Sequence, residues 1–448
     1  MSAVERTVPV REPAIGEQWR RLHPLSPVVR FGRMLVAIIV IAVPSLEYSR
    51  PRPSTGWLNP SLAVYLGLLL VGAIAGVISW LVTRWRIDGG DLRIETGLIR
   101  RESFRIPLAR IQAVDIVAPL AARVLGLAEV RVVSAGRGAE RGRLAYLTAT
   151  EAPEVRARLL ALAHGLAVET PEPPAVPLLH VSNGLLIPAL SMRAGVAWPL
   201  LLAVAAVVIV AVSPAIGGAL FGSGATALVL GVFSVFRTFN EDFDFSISEA
   251  GDGVRLDRGL LQRRHETIPY GRIQAVRLVQ PLLWRLFDWS RLEVDVARQH
   301  MSREGDPQAQ QVARTLLPVA SREQALWLLA RVMPHAGVSP APGSAPPNRA
   351  RFKAPLSFHL LRAWYGHHYV YARTGRLQAA TMVVPMVKVQ SVRFTSGPVQ
   401  RAFGLASVHI DTAGRRWQAS ARCRDEREAQ TMLWEISDRA RQARAAAR

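Results

Sequence analysis

Only one cysteine and two lysines stand among 448 residues. With Cys423 alone, the chain can form no internal disulfide, no CxxC redox pair and no cysteine zinc site. Lys353 and Lys388 are the only lysines among 55 basic residues, which argues against a lysine nucleophile or Schiff base and leaves the positive charge to arginine. The sequence has no Walker loop, no Rossmann glycine pattern and no Gly-x-Ser-x-Gly elbow. About thirty polar, basic residues precede the first apolar stretch, so no cleavable signal is expected.

Apolar residues make up half of the chain, beside a formal net charge of +21. Both hold only if the apolar residues are gathered into segments apart from the basic ones. Leu62 to Val82 is such a segment, uncharged and long enough at ~1.5 Å per residue to cross a ~30 Å hydrocarbon core. Met34 to Val43 is too short alone, but across a turn with Pro44, Pro51, Pro53 and Gly56 it reads as the other arm of a helical hairpin. Val196 to Val212 and Ala215 to Phe236, parted at Ser213-Pro214, form a second uncharged pair. Four membrane spans are expected. Arg20, Arg21, Arg30 and Arg33 precede the first, Arg84 and Arg86 follow the second, Arg193 precedes the third and Arg237 follows the fourth. The positive-inside rule then puts both termini and all soluble segments in the cytoplasm. Spans without charge speak against an ion or proton path.

Three segments superpose without a gap. Gly97 to Pro107, followed by Arg110-Ile111-Gln112-Ala113-Val114, recurs 162 residues later as Gly259 to Pro269 and Arg272-Ile273-Gln274-Ala275-Val276. It recurs again at a shift of 278 as Gly375 to Pro385 and Lys388-Val389-Gln390-Ser391-Val392. Arg123-Val124-Leu125-Gly126-Leu127, Arg285-Leu286-Phe287-Asp288-Trp289 and Arg401-Ala402-Phe403-Gly404-Leu405 keep that register. Three copies predict three similar small domains.

Period-two segments predict strands over 85–87, 92–96, 103–107, 111–116, 130–133 and 144–147 in copy one. Copy two has them over 243–247 and 292–296, and copy three over 408–410 and 417–421. One amphipathic helix closes each copy, with Val155, Leu159, Leu162 and Ala163 on its inner face in the first. In the second the face is Ala325, Leu328, Leu329 and Val332; in the third it is Ala429, Met432, Leu433, Ile436 and Ala440. Ser321 with Gln324, and Asp425 with Glu428, have the spacing of reciprocal N-terminal caps. Proline-rich linkers are expected at Glu169 to Pro177 and His335 to Pro355. The second linker would leave copy three tethered only through copy two, and the most mobile.

No carboxylate, serine or histidine recurs at an aligned position; Asp115 aligns with Arg277 and Arg393. Hence no catalytic residue, metal ligand or cofactor is assigned. His367-His368 falls in an expected strand whose alternate side chains face opposite ways, which does not make a metal site. What recurs is of another kind. Gly97, Gly259 and Gly375 with Pro107, Pro269 and Pro385 suit turns and strand ends. Gln112, Gln274 and Gln390 sit among branched apolar neighbours, where an amide serves a loop backbone or a bound peptide. Arg110, Arg272 and Lys388, and Arg123, Arg285 and Arg401, keep a positive charge in every copy. They are candidate contacts for lipid phosphate or an acidic partner, and equally candidates for ion pairs inside each domain. Loop arginines between Arg137 and Arg143, with Arg415 and Arg416, could touch an anionic leaflet at ~1 kcal/mol each. Nucleic acid is disfavoured, because no basic helix or aromatic stacking motif accompanies the charge.

The strand ending in proline, the basic residue after two intervening residues, the Ile/Val-Gln-Ala/Ser-Val run and the Arg-x-Leu/Phe-Gly-Leu turn resemble the bacterial membrane-flanked pleckstrin-homology-like domain family. The opening Trp19-Arg20-Arg21-Leu22-His23-Pro24-Leu25-Ser26-Pro27 is similar to the start of its multi-copy members. Departures are Gly397-Pro398 where the other copies carry Pro119 and Pro281, and Asp288 where they carry glycine. The resemblance implies that each copy folds as two near-orthogonal antiparallel sheets of about seven strands, closed by a C-terminal helix. It implies no reaction. The expectation is thus a non-enzymatic bacterial inner-membrane scaffold with two transmembrane hairpins and three cytoplasmic domains. Its partners would be anionic lipid headgroups, other proteins or further copies of itself; the alternative is a subunit of an export or envelope-protection complex. The boundaries drawn are 1–30 for the N-terminal segment, 31–83 and 193–237 for the hairpins, and 166–192 and 335–355 for linkers. The three domains are 84–165, 238–334 and 356–448.

Overall fold

The computed structural model of the protein describes residues 19–29, 31–32, 60–88, 90–97, 101–134, 143–163, 165, 175–193, 205, 208, 231–251, 253–297, 314–336, 343–414 and 417–447. Two compact units emerge, Met1–Pro173 with Leu261–Glu266 and Pro174–Leu260 with Thr267–Arg448. Copy one belongs to the first unit, copy three and most of copy two to the second.

In the first unit, β1 (Arg20–Arg21) pairs antiparallel with β2 (Arg84–Asp88), and the sheet continues through β3 (Asp91–Thr96) to its terminal strand β4 (Glu102–Pro107). A second sheet holds β5 (Ile111–Pro119), β6 (Leu127–Ser134) and β7 (Arg143–Thr148), and the helix Glu151–Ala163 follows. Because side chains alternate along a strand, Leu92, Ile94 and Ile106 from one sheet meet Val114, Ile116, Val130 and Leu144 from the other, with Val155 and Leu159 of the helix. Leu162 and Ala163 pack at the rim of this core rather than within it. Also in this unit, Gln262 to His265 lie antiparallel against β5, with Gln262 opposite Pro119 and His265 opposite Ile116.

The second unit repeats the plan twice. Copy two has β8 (Val176–His180), β9 (Ser246–Ala250), β10 (Gly253–Arg258) and β11 (Gln262–Pro269), then β12 (Ile273–Pro281), β13 (Trp289–Val296) and β14 (Arg314–Ser321), closed by the helix Arg322–Val332. Copy three has β15 (Arg362–Tyr365), β16 (Tyr369–Gly375) and β17 (Gln378–Pro385), then β18 (Val389–Thr395), β19 (Leu405–Thr412) and β20 (Ala419–Asp425), closed by the helix Glu426–Ala446. The inner faces of both helices are buried as their periodicity requires, Ala325, Leu328, Leu329 and Val332 in one and Ala429, Met432, Ile436 and Ala440 in the other. Leu433 is half-buried. The sheet-rich domains with closing helices fit the implied fold.

The structure departs from the sequence reading in several places. Residues 243–245 form no strand: helix runs to Asp242, and Asp244 turns the chain in the left-handed region at φ 51°, its N–H held by Asn183 Oδ1 at 2.8 Å. His367-His368 lies in the turn between β15 and β16, with His368 facing His335 at a ring separation of 5.4 Å. The Ser321 cap is reciprocal with Gln324. The Asp425 cap is one-sided, because Glu428 turns away to Ser344 and Arg424. Segment 166–192 is no plain linker, for it contains β8 and the helix Asn183–Ser191. Segment 335–355 also packs: Arg349 pairs with Asp425, and the fully buried Arg424 bonds the Ser344 carbonyl. Nor is copy three held by a tether alone, since β17 pairs with β12 from Val276↔Val383 to Pro281↔Gln378.

A common first strand explains these segments. Trp85, Ile247 and Ala363 are equivalent under the repeat shifts, and they pair with Arg20, Leu179 and Ser344 respectively. Every copy therefore opens with an extended segment lying against its next strand. In copies one and two the long apolar stretches intervene between these two partners; in copy three only the short helix Ala350–Lys353 and the turn Phe358–Leu360 do. Of the four expected spans, only the second lies largely within the described residues. It is the helix Pro60–Val82, of which Val64–Val82 has mean hydropathy 2.2 and is long and apolar enough to cross a membrane. Met34 to Val43 lies outside the described residues, as do most of Val196 to Val212 and Ala215 to Phe236, of which 231–236 are helical.

Candidate functional site

The recurring glycines and prolines take the same conformation in every copy. Gly97, Gly259 and Gly375 have φ of 98°, 109° and 144°, a region open to glycine and costly for other residues. Pro107, Pro269 and Pro385 each end a strand and lead into one 3₁₀ turn, Leu108–Arg110, Tyr270–Arg272 or Met386–Lys388. The fixed φ of proline, −58°, −62° and −64° here, sets the strand up for that turn. Asp288 departs from glycine in sequence yet not in shape, with φ 50° beside 67° at Gly126 and 59° at Gly404.

The six recurring basic residues do not converge. Arg110, Arg123 and Arg401 are exposed. Arg272 donates to the Ala297 carbonyl at 3.2 Å and Lys388 to the Gly271 carbonyl at 2.8 Å, so both serve backbone near the 3₁₀ turns. Arg285 is half-buried within the 3₁₀ turn Leu283–Phe287. Gln274 is buried and donates weakly to Arg272 O at 3.4 Å, whereas Gln390, at the same repeat position, is exposed. The side chain of Gln112 lies outside what is described.

A denser cluster lies at the end of the apolar helix. Trp80 Nε1 donates to the Leu22 carbonyl at 2.9 Å, joining the last turns of that helix to the segment after β1. The pairing of β1 with β2 then brings Trp19 under Arg84 and Arg86, whose guanidinium carbons stand 4.4 and 4.7 Å from its ring centroid. Arg20 lies 6.0 Å from the ring of the buried Trp85. Salt bridges hold the heads in place: Arg84 to Glu95 at 2.8 Å, Arg86 to Asp88 at 2.9 Å and Arg93 to Asp88 at 3.1 Å. Stacking on an indole leaves a guanidinium its N–H edge, part of which Glu95 and Asp88 occupy here, so an added anion would share these heads with the carboxylates. The sequence showed these arginines as topology markers and Trp19 as part of an opening motif. Their meeting depends on strand pairing across more than sixty intervening residues, which spacing does not reveal.

A second charged group is turned inward. Asp242 and Arg258 are buried at 3.7 Å, and Arg291 lies 3.0 Å from Glu293. Burial, with Arg291 nearby, lowers Arg193 to about 10, against the pull of Asp242 and Glu293. Burial also pushes the Asp242 carboxyl up, against Arg291, Arg258 and Arg193. Burial thus outweighs the attraction between these opposed charges where the chain leaves for and returns from its second apolar stretch.

Comparison with known proteins bears on the repeated domain. The bacterial PH domain family matches three times, over residues 34–163, 186–332 and 356–440. The second match begins inside the helix Asn183–Ser191, within the segment 166–192 where proline predicts a linker. The chain is also similar to the UPF0699 transmembrane protein YdbT of Bacillus subtilis (strain 168), 22% identical over 329 residues. That match covers 66% of this chain and 66% of the relative's length.

Proposed function

Since the chain belongs to the bacterial PH domain family, with three copies of its domain, we propose that it works without chemistry of its own, as a scaffold anchored in the bacterial inner membrane by two helical hairpins. Its termini and PH-like domains face the cytoplasm, where the arginines flank the spans. The first copy docks on anionic lipid headgroups through Trp19, Arg20, Arg84 and Arg86. The observation that carries this reading is the stacking of Arg84 and Arg86 on Trp19 beside the end of the apolar helix. Tryptophan favours the membrane interface, and each arginine near an anionic surface adds ~1 kcal/mol. The transmembrane relative is consistent with a membrane location.

The test is intact-mass measurement of the full-length protein in mild detergent, titrated with a phosphatidylglycerol or a phosphatidylcholine of equal chain length. Preferential retention of the anionic lipid, reduced in R84Q/R86Q and weakened by salt, is the expected result. Equal retention of both lipids, or retention unchanged in the double variant, would sink the lipid reading.

A further inference from the structure

The copies are joined by one repeated contact. In the second unit, β12 of copy two pairs with β17 of copy three, with Pro281 opposite Gln378 and Leu278 opposite Thr381. In the first unit, β5 of copy one pairs with residues of copy two, with Pro119 opposite Gln262 and Ile116 opposite His265. Under the repeat shifts these are the same pairs: Pro119 is equivalent to Pro281, Gln262 to Gln378, Ile116 to Leu278 and His265 to Thr381. A join used twice in one register is a built interface, because a slip of one residue would turn every side chain to the opposite face. Each join takes the strand after the 3₁₀ turn in one copy and the strand before that turn in the next.

Among the described residues, one strand of each kind remains at a sheet edge. β18 is the copy-three equivalent of β5 and β12, and it ends its sheet among the described residues. β4 is the copy-one equivalent of β11 and β17, and it ends the four-stranded sheet. The contrast between equivalents is sharp: Gln274, Ala275 and Val279 of β12 are buried, whereas Gln390, Ser391 and Thr395 of β18 are exposed. Val392 and Phe394, equivalent to the buried Val276 and Leu278, are only half-covered.

We infer that β18 of one molecule pairs antiparallel with β4 of a second copy of this chain, extending the internal join head to tail between molecules. The register follows from the two internal joins. It sets Val392 opposite Arg105, Arg393 opposite Phe104, Phe394 opposite Ser103 and Thr395 opposite Glu102. No like charges face one another, and Arg393 meets an aromatic ring. Strand addition at a sheet edge supplies main-chain hydrogen bonds. Since the two surfaces differ, the contact is heterologous and builds a ring or an open filament rather than an isologous dimer.

The test uses full-length protein in detergent in a Cys423→Ser background. A chain carrying Ser103→Cys is mixed with a chain carrying Phe394→Cys and oxidised. A cross-linked dimer is expected from the mixture, little from either chain alone, and a ladder when one chain carries both. Pairing Phe394→Cys with Phe104→Cys, one residue out of register, should give a several-fold weaker band. No dimer in the mixture, an equal band out of register, or only an internal disulfide in the doubly substituted chain overturns the proposal. Light scattering gives an independent measure. Wild type should have at least twice the protein mass of Val392→Pro, a variant checked by circular dichroism for retained fold, and equal masses would count against the contact.

Discussion

Replacing Trp284 with phenylalanine should loosen one helix while leaving the core filled. Trp284 is 1% exposed, and its Nε1 donates to the Ala189 carbonyl at 2.8 Å. That carbonyl belongs to the last turn of the helix Asn183–Ser191, where main-chain acceptors lack partners within the helix. Pro188 and Leu190 are served by the N–H groups of Met192 and Arg193. Among the described residues, the carbonyl of the buried Ala189 has the indole as its partner. Phenylalanine preserves most of the ring packing against Trp289, at 6.3 Å, and removes only the donor. An orphaned buried carbonyl costs ~1–3 kcal/mol, so amide exchange over 183–193 should accelerate by roughly 5- to 150-fold. Trp284→Ala would add a cavity and cost ~3–5 kcal/mol. Hydrogen exchange read by mass spectrometry on the full chain in detergent localises the effect. The sheets of copy one, in the other unit, should not change. Unaltered exchange over 183–193 in the phenylalanine variant would refute the capping role, as would acceleration spread evenly over the whole chain.

Other outcomes follow from local geometry. Ser321→Ala removes one side of the reciprocal cap on the helix Arg322–Val332 and should cost ~1 kcal/mol in denaturant unfolding. Gly375→Ala should be far more damaging than Gly126→Ala: both have positive φ, but a Cβ at 375 collides with the Gln378 backbone while one at 126 meets open space. The second change should cost only ~1 kcal/mol. The Asp411 carboxyl is held down to about 2, first by its hydrogen bond from Arg393 and then by Gln418 and Ser391. Its folded value lies below the unfolded one of ~3.9, so its contribution is complete above about pH 4 and disappears as the pH falls through 2. Asp411→Asn should therefore be less stable than wild type at pH 7, by at most ~1 kcal/mol for so exposed a pair, with the gap narrowing markedly between about pH 4 and pH 2. A deficit undiminished at pH 2 would assign the effect to packing instead.

Local chemistry was legible in the sequence because it repeats. Period-two alternation located most strands of copy one, the spacing of Ala325, Leu328, Leu329 and Val332 located a buried helix face, and the alignment of glycine and proline located three similar turns. The same reading failed at 243–245, where the Asp244 N–H donates to Asn183 Oδ1 within a turn, and at 176–191, where proline suggested a linker. Edge strands tolerate proline, so Pro177 lies within β8.

By itself the sequence determined that there are three copies of one domain, that long apolar segments accompany the first two, and that no catalytic constellation recurs. These properties depend on neighbours a few residues apart or on a fixed shift along the chain. Only the tertiary structure decided which strands meet: Arg20 with Trp85, Leu179 with Ile247 and Ser344 with Ala363, or β12 with β17. Strand pairing is a contact between main chains, whose groups are the same at every residue. A partner sixty or a hundred residues away therefore leaves little mark in the side chains, and Trp19 beneath Arg84, like the open edge of β18, becomes visible only when the sheets are assembled.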